Sequence, residues 1–509
     1  MRSQKAFLNI VISMLYQIVV AVCGIIVSRL ILLSFGSTYN GVVQSASQFL
    51  GMISVLTLGI AGATRMELYK TLARNDSLGT SRIVKATDQY MKKVGLIAVG
   101  YTIVLAILYP FFSNNSLGYF ECVLIIGIVG IGTFAEYFFG ITYRTLLMAD
   151  QREYVYSFFQ ILATILNAIL AYILIRADQS IFAVKFWSAI VFAMSPIAMS
   201  LYVKKNYSID SNCVADTTAL KERGNVAFHS IANIVHQYTD MFLMTIFVDA
   251  RFISVYSVYT IATSKVRMVM NVFTTGLEAA FGSMWAKGEI DLLKRHFSGY
   301  EYLLSSFVAV VFSCIFVLIM PFVELYTKGV NDAEYLDIVF AVLMVLAELT
   351  YCIRQPYITL VQATGNYKAT KKAAGTEAVI NVVLSLILIN IIGIKGVVVG
   401  TIVANVYRTV HYMIFVYRNV LNEKMIRMFW KALYIVITIA GVQEVTNILK
   451  VNGFFLITTW GQWFFNAIVI FIISVLVASF ISFVMLKNDM QYAFGIAKRI
   501  VLRKGKKRG

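Results

Sequence analysis

The sequence predicts an all-α polytopic membrane protein with fourteen transmembrane helices. Of its 509 residues, 59% are apolar and 14% are charged, and the mean hydropathy is +0.76. Soluble chains carry about 45 to 50% apolar and about 25% charged residues, so the composition excludes a soluble multidomain enzyme. The apolar runs are long and unbroken, which indicates helices rather than the short alternating strands of a membrane barrel.

Apolar runs between charged or turn-forming residues define the predicted spans. The first six are 7–33, 41–64, 94–113, 118–148, 155–175 and 182–203. The next six are 226–248, 252–277, 302–323, 335–362, 374–393 and 396–417, and a final pair covers 429–448 and 462–486. The first run is too long for a signal-peptide core and lacks a small-residue cleavage site, so we expect it to be retained as the first span.

An internal repeat divides the predicted spans into two six-helix lobes. Residues 165–175 align with residues 379–389, and residues 147–149 with residues 361–363. Each half has an even number of spans, so we expect lobes related by a pseudo-twofold axis along the membrane normal, with the substrate between them. The predicted domains are an N-terminal lobe (1–204), a cytoplasmic linker (205–225), a C-terminal lobe (226–418), and a terminal helix pair with a basic tail (419–509).

The positive charge is distributed unevenly. The chain has 44 Lys and Arg residues and a net charge of +18. Roughly three quarters of these cations lie at the termini and in loops after even-numbered spans, which places both termini in the cytoplasm by the positive-inside rule. The basic tail is expected to lie against anionic headgroups of the cytoplasmic membrane, and this interpretation is favoured over nucleic-acid binding.

The loops and cysteines argue against an enzyme. The outer loops are too short for a catalytic domain, which counts against a glycan polymerase or synthase, because that class needs a long outer loop or a constellation of acids. The sequence contains neither a phosphate-cradling glycine loop nor an Asp-x-Asp pair for metal-assisted sugar transfer. The five scattered cysteines support neither a disulfide framework nor a metal cluster. We therefore predict a non-enzyme without a metal or cofactor.

Five of the cations within predicted spans are candidate ligand contacts: Arg29, Lys265, Arg267, Arg354 and Arg408. Placing one such charge at the bilayer centre costs about 2.5 to 3.5 kcal/mol, so we expect them to face a water-filled cavity and to bind an anionic ligand. Arg267 is the strongest candidate because it lies on a polar stripe near the centre of span eight. Lys265 ranks second, since it projects from a different face of that helix.

Structural alternatives are open for the other three cations. Arg408 lies on a polar stripe that could equally be a helix-packing surface. Arg29 is close to the outer end of span one and could reach the interface, and Arg354 is close to the cytoplasmic side, two residues before Pro356.

Acidic residues in the spans suggest coupling to Na⁺ or H⁺. His236 and Asp240 are one turn apart in span seven and could share a proton or hold Na⁺. Glu136 and Glu348 occupy near-equivalent positions of the repeat, and either could pair with an intramembrane cation. The alternative for all four is a structural role, in which they balance charges or form hydrogen bonds within the bundle.

Uncharged polar side chains extend the predicted cavity lining. They are Ser13 and Gln17 in span one, Gln44 in span two, Asn233 in span seven and Asn271 in span eight. Amides and hydroxyls at helical spacing suit sugar hydroxyls, and they suit interhelical hydrogen bonds equally well.

Several segments resemble the Wzx-type polysaccharide-unit flippases of the multidrug/oligosaccharidyl-lipid/polysaccharide exporter superfamily. The residues that carry the resemblance are 36–41, 58–60, 147–154, 239–240 and 255–259, and the similarity extends over the chain. It implies export of an undecaprenyl-diphosphate-linked oligosaccharide from the inner to the outer leaflet by alternating access, with basic cavity residues such as Arg267 and Arg29 for the diphosphate. Expected partners are this lipid-linked substrate, membrane lipids, and polysaccharide polymerase and glycosyltransferases.

Two transporter alternatives are retained. A cation-coupled exporter of drugs or other small molecules would be expected to present acids, rather than five cations, to its cavity. A flippase for the lipid-linked peptidoglycan precursor has the same need for cations and also fourteen spans.

Overall fold

The computed structural model describes residues 2–57, 60–114, 117–210, 212–216, 238–451, 456–493 and 495. This part of the chain is helical and contains no β-strand, which confirms the predicted all-α class. Eleven of its helices are long and apolar enough to cross a membrane.

The first half contains seven helices and a described segment of an eighth. They are α1 (Arg2–Gly51), α2 (Ile60–Ala73), α3 (Ser77–Phe112), α4 (Tyr119–Ala135), α5 (Ile141–Ala149), α6 (Glu153–Arg176) and α7 (Ile181–Asn206). A 3₁₀ turn, Met52–Thr57, follows α1, and a π-helical turn, Glu136–Gly140, joins α4 to α5. Residues 238–247 are helical and belong to predicted span seven, whose earlier residues lie outside the described part of the chain.

The described residues of the second half form nine helices with defined ends, and residues 487–493 are also helical. The nine are α8 (Ala250–Thr263), α9 (Lys265–Ala286), α10 (Ile290–Thr327), α11 (Ile338–Ile353), α12 (Gln355–Ala363), α13 (Tyr367–Ile392), α14 (Ile394–Phe415), α15 (Ile426–Val451) and α16 (Trp460–Met485). A second π-helical turn, Val416–Val420, follows α14.

Predicted spans one and two form one kinked helix, α1. Its backbone leaves the helical conformation at Gly36, where φ is +84°. This conformation suits glycine, since an L side chain adopts it only with strain. Just after the kink, Asp332 accepts hydrogen bonds from the backbone N–H of Ser37 at 2.6 Å and from its hydroxyl at 2.5 Å. The carboxylate thus satisfies an N–H group that the kink leaves without a helical partner.

Two predicted spans are divided and two helices are longer than predicted. Span eight consists of α8 and α9, separated at Ser264, and span ten consists of α11 and α12, separated at Arg354. Helix α3 begins at Ser77 instead of residue 94, because Asp76 caps it by accepting a hydrogen bond from the N–H of Gly79 at 2.8 Å. Helix α10 likewise starts before its apolar run, at Ile290. Apolar length marks the membrane-crossing part of a helix but not its polar extension.

The chain forms two compact units. The N-terminal unit comprises Met1–Val255 and Gly329–Ala333, and the C-terminal unit comprises Tyr256–Lys328 and Glu334–Gly509. The described part of span seven belongs to the N-terminal unit, where Phe242 lies 5.6 Å from Phe49 between ring centroids. The unit boundary therefore falls later than the predicted linker at 205–225.

Each unit has its own apolar core. In the N-terminal unit, Val42, Phe49, Tyr109 and Ile125 are buried among α1, α3 and α4. In the C-terminal unit, the terminal pair α15 and α16 packs on α10 through buried aliphatic side chains, Val317, Leu318, Val442 and Ile470. The terminal pair is thus an integral part of the C-terminal unit.

Candidate functional site

The candidate site is a network of charged side chains within the C-terminal unit, and it begins at Arg267. This residue lies in the first turn of α9, and Glu348 lies in α11. The Nε of Arg267 is 2.5 Å from Oε1 of Glu348, and its Nη2 is 2.6 Å from Oε2. The arginine side chain is 36% exposed, whereas the glutamate side chain is 6% exposed. Arg267 is therefore paired on one edge and still accessible.

Tyr351 provides an aromatic surface for two guanidinium groups. Its ring centroid is 3.8 Å from Cζ of Arg267 and 4.2 Å from Cζ of Arg354. Cations over an aromatic face are attracted by the ring quadrupole. Tyr351 therefore holds two like charges close together.

Glu377 of α13 neutralises the other two arginines of the network. Its carboxylate is 2.5 Å from Nη1 of Arg354 and 3.5 Å from Nε of Arg408. Arg408 also donates to the carbonyl of Thr370 at 2.8 Å and to the hydroxyl of Tyr412 at 2.7 Å. Both arginines are 4% exposed. The packing alternative therefore matches the surroundings of Arg408 better than an open cavity does, and Arg354 is equally enclosed.

The local sequence explains where Arg354 lies. It occupies the junction of α11 and α12, and Pro356 follows it in the first turn of α12. Proline lacks an N–H, so it is tolerated in the first turn of a helix and interrupts a continuous one.

The network carries a net positive charge. Arg267, Arg354 and Arg408 contribute three positive charges, whereas Glu348 and Glu377 contribute two negative charges. Lys265 is exposed on the same helix as Arg267 and takes no part in these ion pairs. In a low-dielectric surrounding, an unbalanced positive charge favours binding of an anion.

Among the described residues, no group of three His, Cys, Asp or Glu side chains is arranged to hold a metal ion.

A second buried ion pair, which the sequence analysis did not identify, fixes the terminal helix pair. Nζ of Lys431 in α15 is 2.5 Å from Oε2 of Glu301 in α10, and the two side chains are 2% and 1% exposed. The hydroxyls of Tyr357 and Tyr417 donate to the same carboxylate at 2.5 and 2.8 Å. The only sequence signal for this pair is a lysine within an otherwise apolar span.

Two polar residues of span one, Asn9 and the predicted Ser13, contact α6 and the turn before it in the N-terminal unit. The Asn9 amide donates to the carbonyl of Gln151 at 2.9 Å and accepts from the N–H of Tyr154 at 2.8 Å, so α1 is fastened to the turn before α6. The hydroxyl of Ser13 lies 3.4 Å from that of Ser157 in α6. The interhelical alternative therefore applies to Ser13.

The other predicted residues of the N-terminal unit lie on several helices. Gln17, Arg29 and Gln44 are half-buried along α1, and Glu136 is half-buried at the start of the first π-helical turn. Asp240 is buried, at 7% exposure. Asn233 and His236, together with the side chain of Asn271, lie outside the described residues.

Comparisons with solved structures identify the fold. The structure of "Lipid II flippase MurJ, inward closed conformation" matches with a TM-score of 0.67 at 14% sequence identity, over 95% of this chain and 100% of that chain. An inward-facing multidrug resistance MATE family transporter of the MOP superfamily matches with a TM-score of 0.58 at 16% identity, over 82% and 98%. A eukaryotic MATE transporter matches with a TM-score of 0.57 at 11% identity, over 82% and 95%.

Identities this low establish a shared fold only. No family model matches the chain, and no curated protein does. The two MATE structures leave about a fifth of this chain unmatched. This length is similar to that of the terminal helix pair and tail, residues 419–509. The lipid II flippase structure matches over nearly the whole length.

Proposed function

We propose that the protein is a flippase that moves an undecaprenyl-diphosphate-linked oligosaccharide unit from the inner to the outer leaflet of the cytoplasmic membrane, for surface polysaccharide synthesis. One observation carries the proposal: Arg267, in a predicted membrane span, holds a carboxylate at two points while its side chain stays 36% exposed. A guanidinium binds phosphate with the same two-point geometry.

Glu348 occupies the position that the ligand's phosphate would take. Exchange of one anion for the other leaves Arg267 paired, so the arginine is never left as an uncompensated charge in the membrane. The net positive charge of the network supports binding of the more highly charged diphosphate. No covalent bond changes, and the barrier that is lowered is the desolvation of the headgroup.

The more extensive structural match supports a lipid-linked substrate. The lipid II flippase structure matches 95% of this chain, whereas the two MATE structures match 82%. A flippase for the peptidoglycan precursor is the second candidate, and the same structural match favours it. We propose alternating access, coupled to Na⁺ or H⁺ through Asp240 or Glu348, with polysaccharide polymerase and glycosyltransferases as partners.

Reconstitution into liposomes tests the proposal. Fluorescent undecaprenyl-diphosphate oligosaccharide is placed in both leaflets, and an impermeant quencher reports the fraction that reaches the outer one. We expect the protein to reduce the fraction of this lipid that is protected from the quencher. The protected fraction of a fluorescent phosphatidylcholine should not change. A cation-driven efflux of organic dyes without glycolipid movement would contradict the proposal and support the drug exporter.

Complementation separates the two flippase candidates. Expression in a glycan-export mutant should restore surface polysaccharide, whereas expression in a strain depleted of its peptidoglycan-precursor flippase should not restore growth. The reverse pattern would assign the peptidoglycan precursor as substrate.

A further inference from the structure

A second arginine, Arg144 in the N-terminal unit, has surroundings that set it apart from the paired cations of the C-terminal unit. It lies in α5, directly after the π-helical turn Glu136–Gly140. Its closest ion-pair contact, from Nη2 to Oε1 of Glu153, is 4.0 Å long, and the two side chains are 38% and 35% exposed. At that length and exposure the contact contributes little neutralisation. The other acidic neighbour of Arg144 is Glu136, whose carboxylate interacts with it electrostatically.

The guanidinium group of Arg144 is also unsatisfied in its hydrogen bonding. Its Nε atom is buried and has no hydrogen-bond partner among the described residues. Arg354 shares this unpartnered Nε, but its Nη1 lies 2.5 Å from the buried carboxylate of Glu377, a contact of a kind that Arg144 does not make with Glu153. The side chain as a whole is 38% exposed, so a ligand can reach the rest of the guanidinium group of Arg144.

An aromatic and polar frame fixes the position of Arg144. Its Cζ lies 4.0 Å from the ring centroid of Tyr156, and the ring of Tyr16 meets that of Tyr156 edge-on at 6.3 Å. Asn9 holds α1 against the turn that precedes α6, the helix that carries Tyr156. The cation is therefore held over the ring of Tyr156 on one face, while its side chain remains 38% exposed.

The predicted topology places Arg144 near the cytoplasmic headgroup level of the membrane. It is five residues before the end of α5 at Ala149, which corresponds to about 7 Å along the helix axis. In the predicted topology, the loop that follows is cytoplasmic. A diphosphate carried by a polyprenol of the inner leaflet lies at this depth, among the phosphate groups of the leaflet.

We infer that Arg144, with Tyr156 beneath it, forms a phosphate-binding site that takes up the diphosphate of the lipid-linked substrate at the cytoplasmic surface. The inference rests on the proposed function. The same chemistry would bind the phosphodiester of an anionic phospholipid, so the test has to separate these two sources.

Binding to the full-length protein in phosphatidylcholine nanodiscs tests the site. The probes are undecaprenyl diphosphate and phosphatidylglycerol, and affinities are measured by native mass spectrometry for the wild type, Arg144→Gln, Arg144→Lys and Arg267→Gln. The control is Arg176→Gln, which removes an equal charge from an arginine that lies 5.5 Å from the Tyr172 ring at the end of α6.

Arg144→Gln is expected to weaken undecaprenyl diphosphate binding by about tenfold or more, since a charge-assisted hydrogen bond is lost, and Arg144→Lys by less. Arg176→Gln should stay within about twofold of the wild type, and phosphatidylglycerol binding should not change.

If Arg144→Gln binds the diphosphate as well as the wild type does, while Arg267→Gln loses binding, the Arg144 site is overturned and the proposed function is not. If Arg144→Gln loses affinity equally for both probes, the site binds phospholipid headgroups and is overturned as a substrate site. A wild type that does not bind the diphosphate would overturn the proposed function and the site with it.

Discussion

Arg267 and Glu348 form a two-point ion pair in which the arginine is one-third exposed and the glutamate is almost completely buried. This asymmetry determines which partner can be exchanged. A ligand can approach the open edge of Arg267, whereas Glu348 can leave the pair only if its own charge is balanced or neutralised. The pair is therefore a point at which a ligand anion and the carboxylate of Glu348 compete for Arg267.

Arg267→Ala is expected to abolish glycan export while the protein remains in the membrane. The substitution removes the proposed phosphate contact and leaves the apolar helices unchanged. Surface polysaccharide and membrane abundance are measured in the same cells. Lys287→Ala is the matched control, because it removes an exposed cation at the C-terminal end of the same helix, outside the network. Normal surface glycan in the Arg267 variant would show that this residue does not bind substrate.

Glu348→Gln is expected to tighten binding of undecaprenyl diphosphate by several-fold and to slow its release. The amide keeps the shape of the side chain but removes the internal anion that competes for Arg267. Equilibrium binding and the rate of flipping in liposomes are measured together. If Glu348 is purely structural, the variant will lose thermal stability, and its affinity for the diphosphate will equal that of the wild type.

Apolar runs predicted the helices, but the pairing of charges was less accessible from the sequence. A transmembrane helix is marked by its own hydrophobic length, so each predicted span with described residues corresponds to helix in the structure. The partners in an ion pair can be far apart in the chain, as for Glu301 and Lys431, which are separated by 130 residues. Helical spacing predicted that Arg267 lies on a polar stripe, and the internal repeat made Glu348 a candidate for pairing with an intramembrane cation. Neither pattern specifies that these two side chains meet.

The position of a charge within its span also does not predict whether its side chain is buried. Arg144 and Lys431 lie near the ends of their spans, so they resemble ordinary cytoplasmic loop charges. The structure shows that one contacts an aromatic ring and the other is fully buried. The distinction depends on neighbouring helices, which periodicity along one helix does not report.

Glu377→Gln is expected to destabilise the C-terminal unit by about 3 to 5 kcal/mol, because two buried guanidinium groups lose their carboxylate. The melting temperature of the purified protein is the readout. Glu423→Gln is the matched control, since it removes a carboxylate from the surface pair with Arg427 and should cost less than about 0.5 kcal/mol. A similar melting temperature for both variants would contradict the assigned role of Glu377.

Asp240→Asn is expected to remove the dependence of transport on a Na⁺ or proton gradient. The carboxyl group is buried at 7% exposure, where a change in its charge is not screened by water. Flipping is measured in proteoliposomes with each gradient imposed in turn. Asp249→Asn is the control, because that carboxylate pairs with Arg251 in the loop before α8. A gradient response equal to that of the wild type would support a structural role for Asp240.

Asp337→Asn is expected to flatten the loss of stability on acidification. Asp337 precedes α11, accepts a hydrogen bond from the N–H of Phe340 at 3.0 Å, and lies 2.6 Å from Nζ of Lys395. Burial alone would raise the pKa of this carboxyl, but the hydrogen bonds and the charge of Lys395 outweigh burial and hold the pKa below its ordinary value. A carboxyl with a lowered pKa stabilises the fold above the unfolded-state pKa of about 3.9, and this contribution is lost as the pH falls through the folded-state value.

Asparagine still caps the helix, so at neutral pH the substitution should cost only the part-exposed ion pair, about 0.5 to 1 kcal/mol. Melting temperatures of the wild type and Asp337→Asn should therefore converge between pH 6 and about pH 3, because the wild-type carboxyl becomes neutral. Lys395→Met removes the same pair from the other side and should show the same cost at neutral pH. A constant difference between wild type and Asp337→Asn across this range would show that the charge of Asp337 does not stabilise the start of α11.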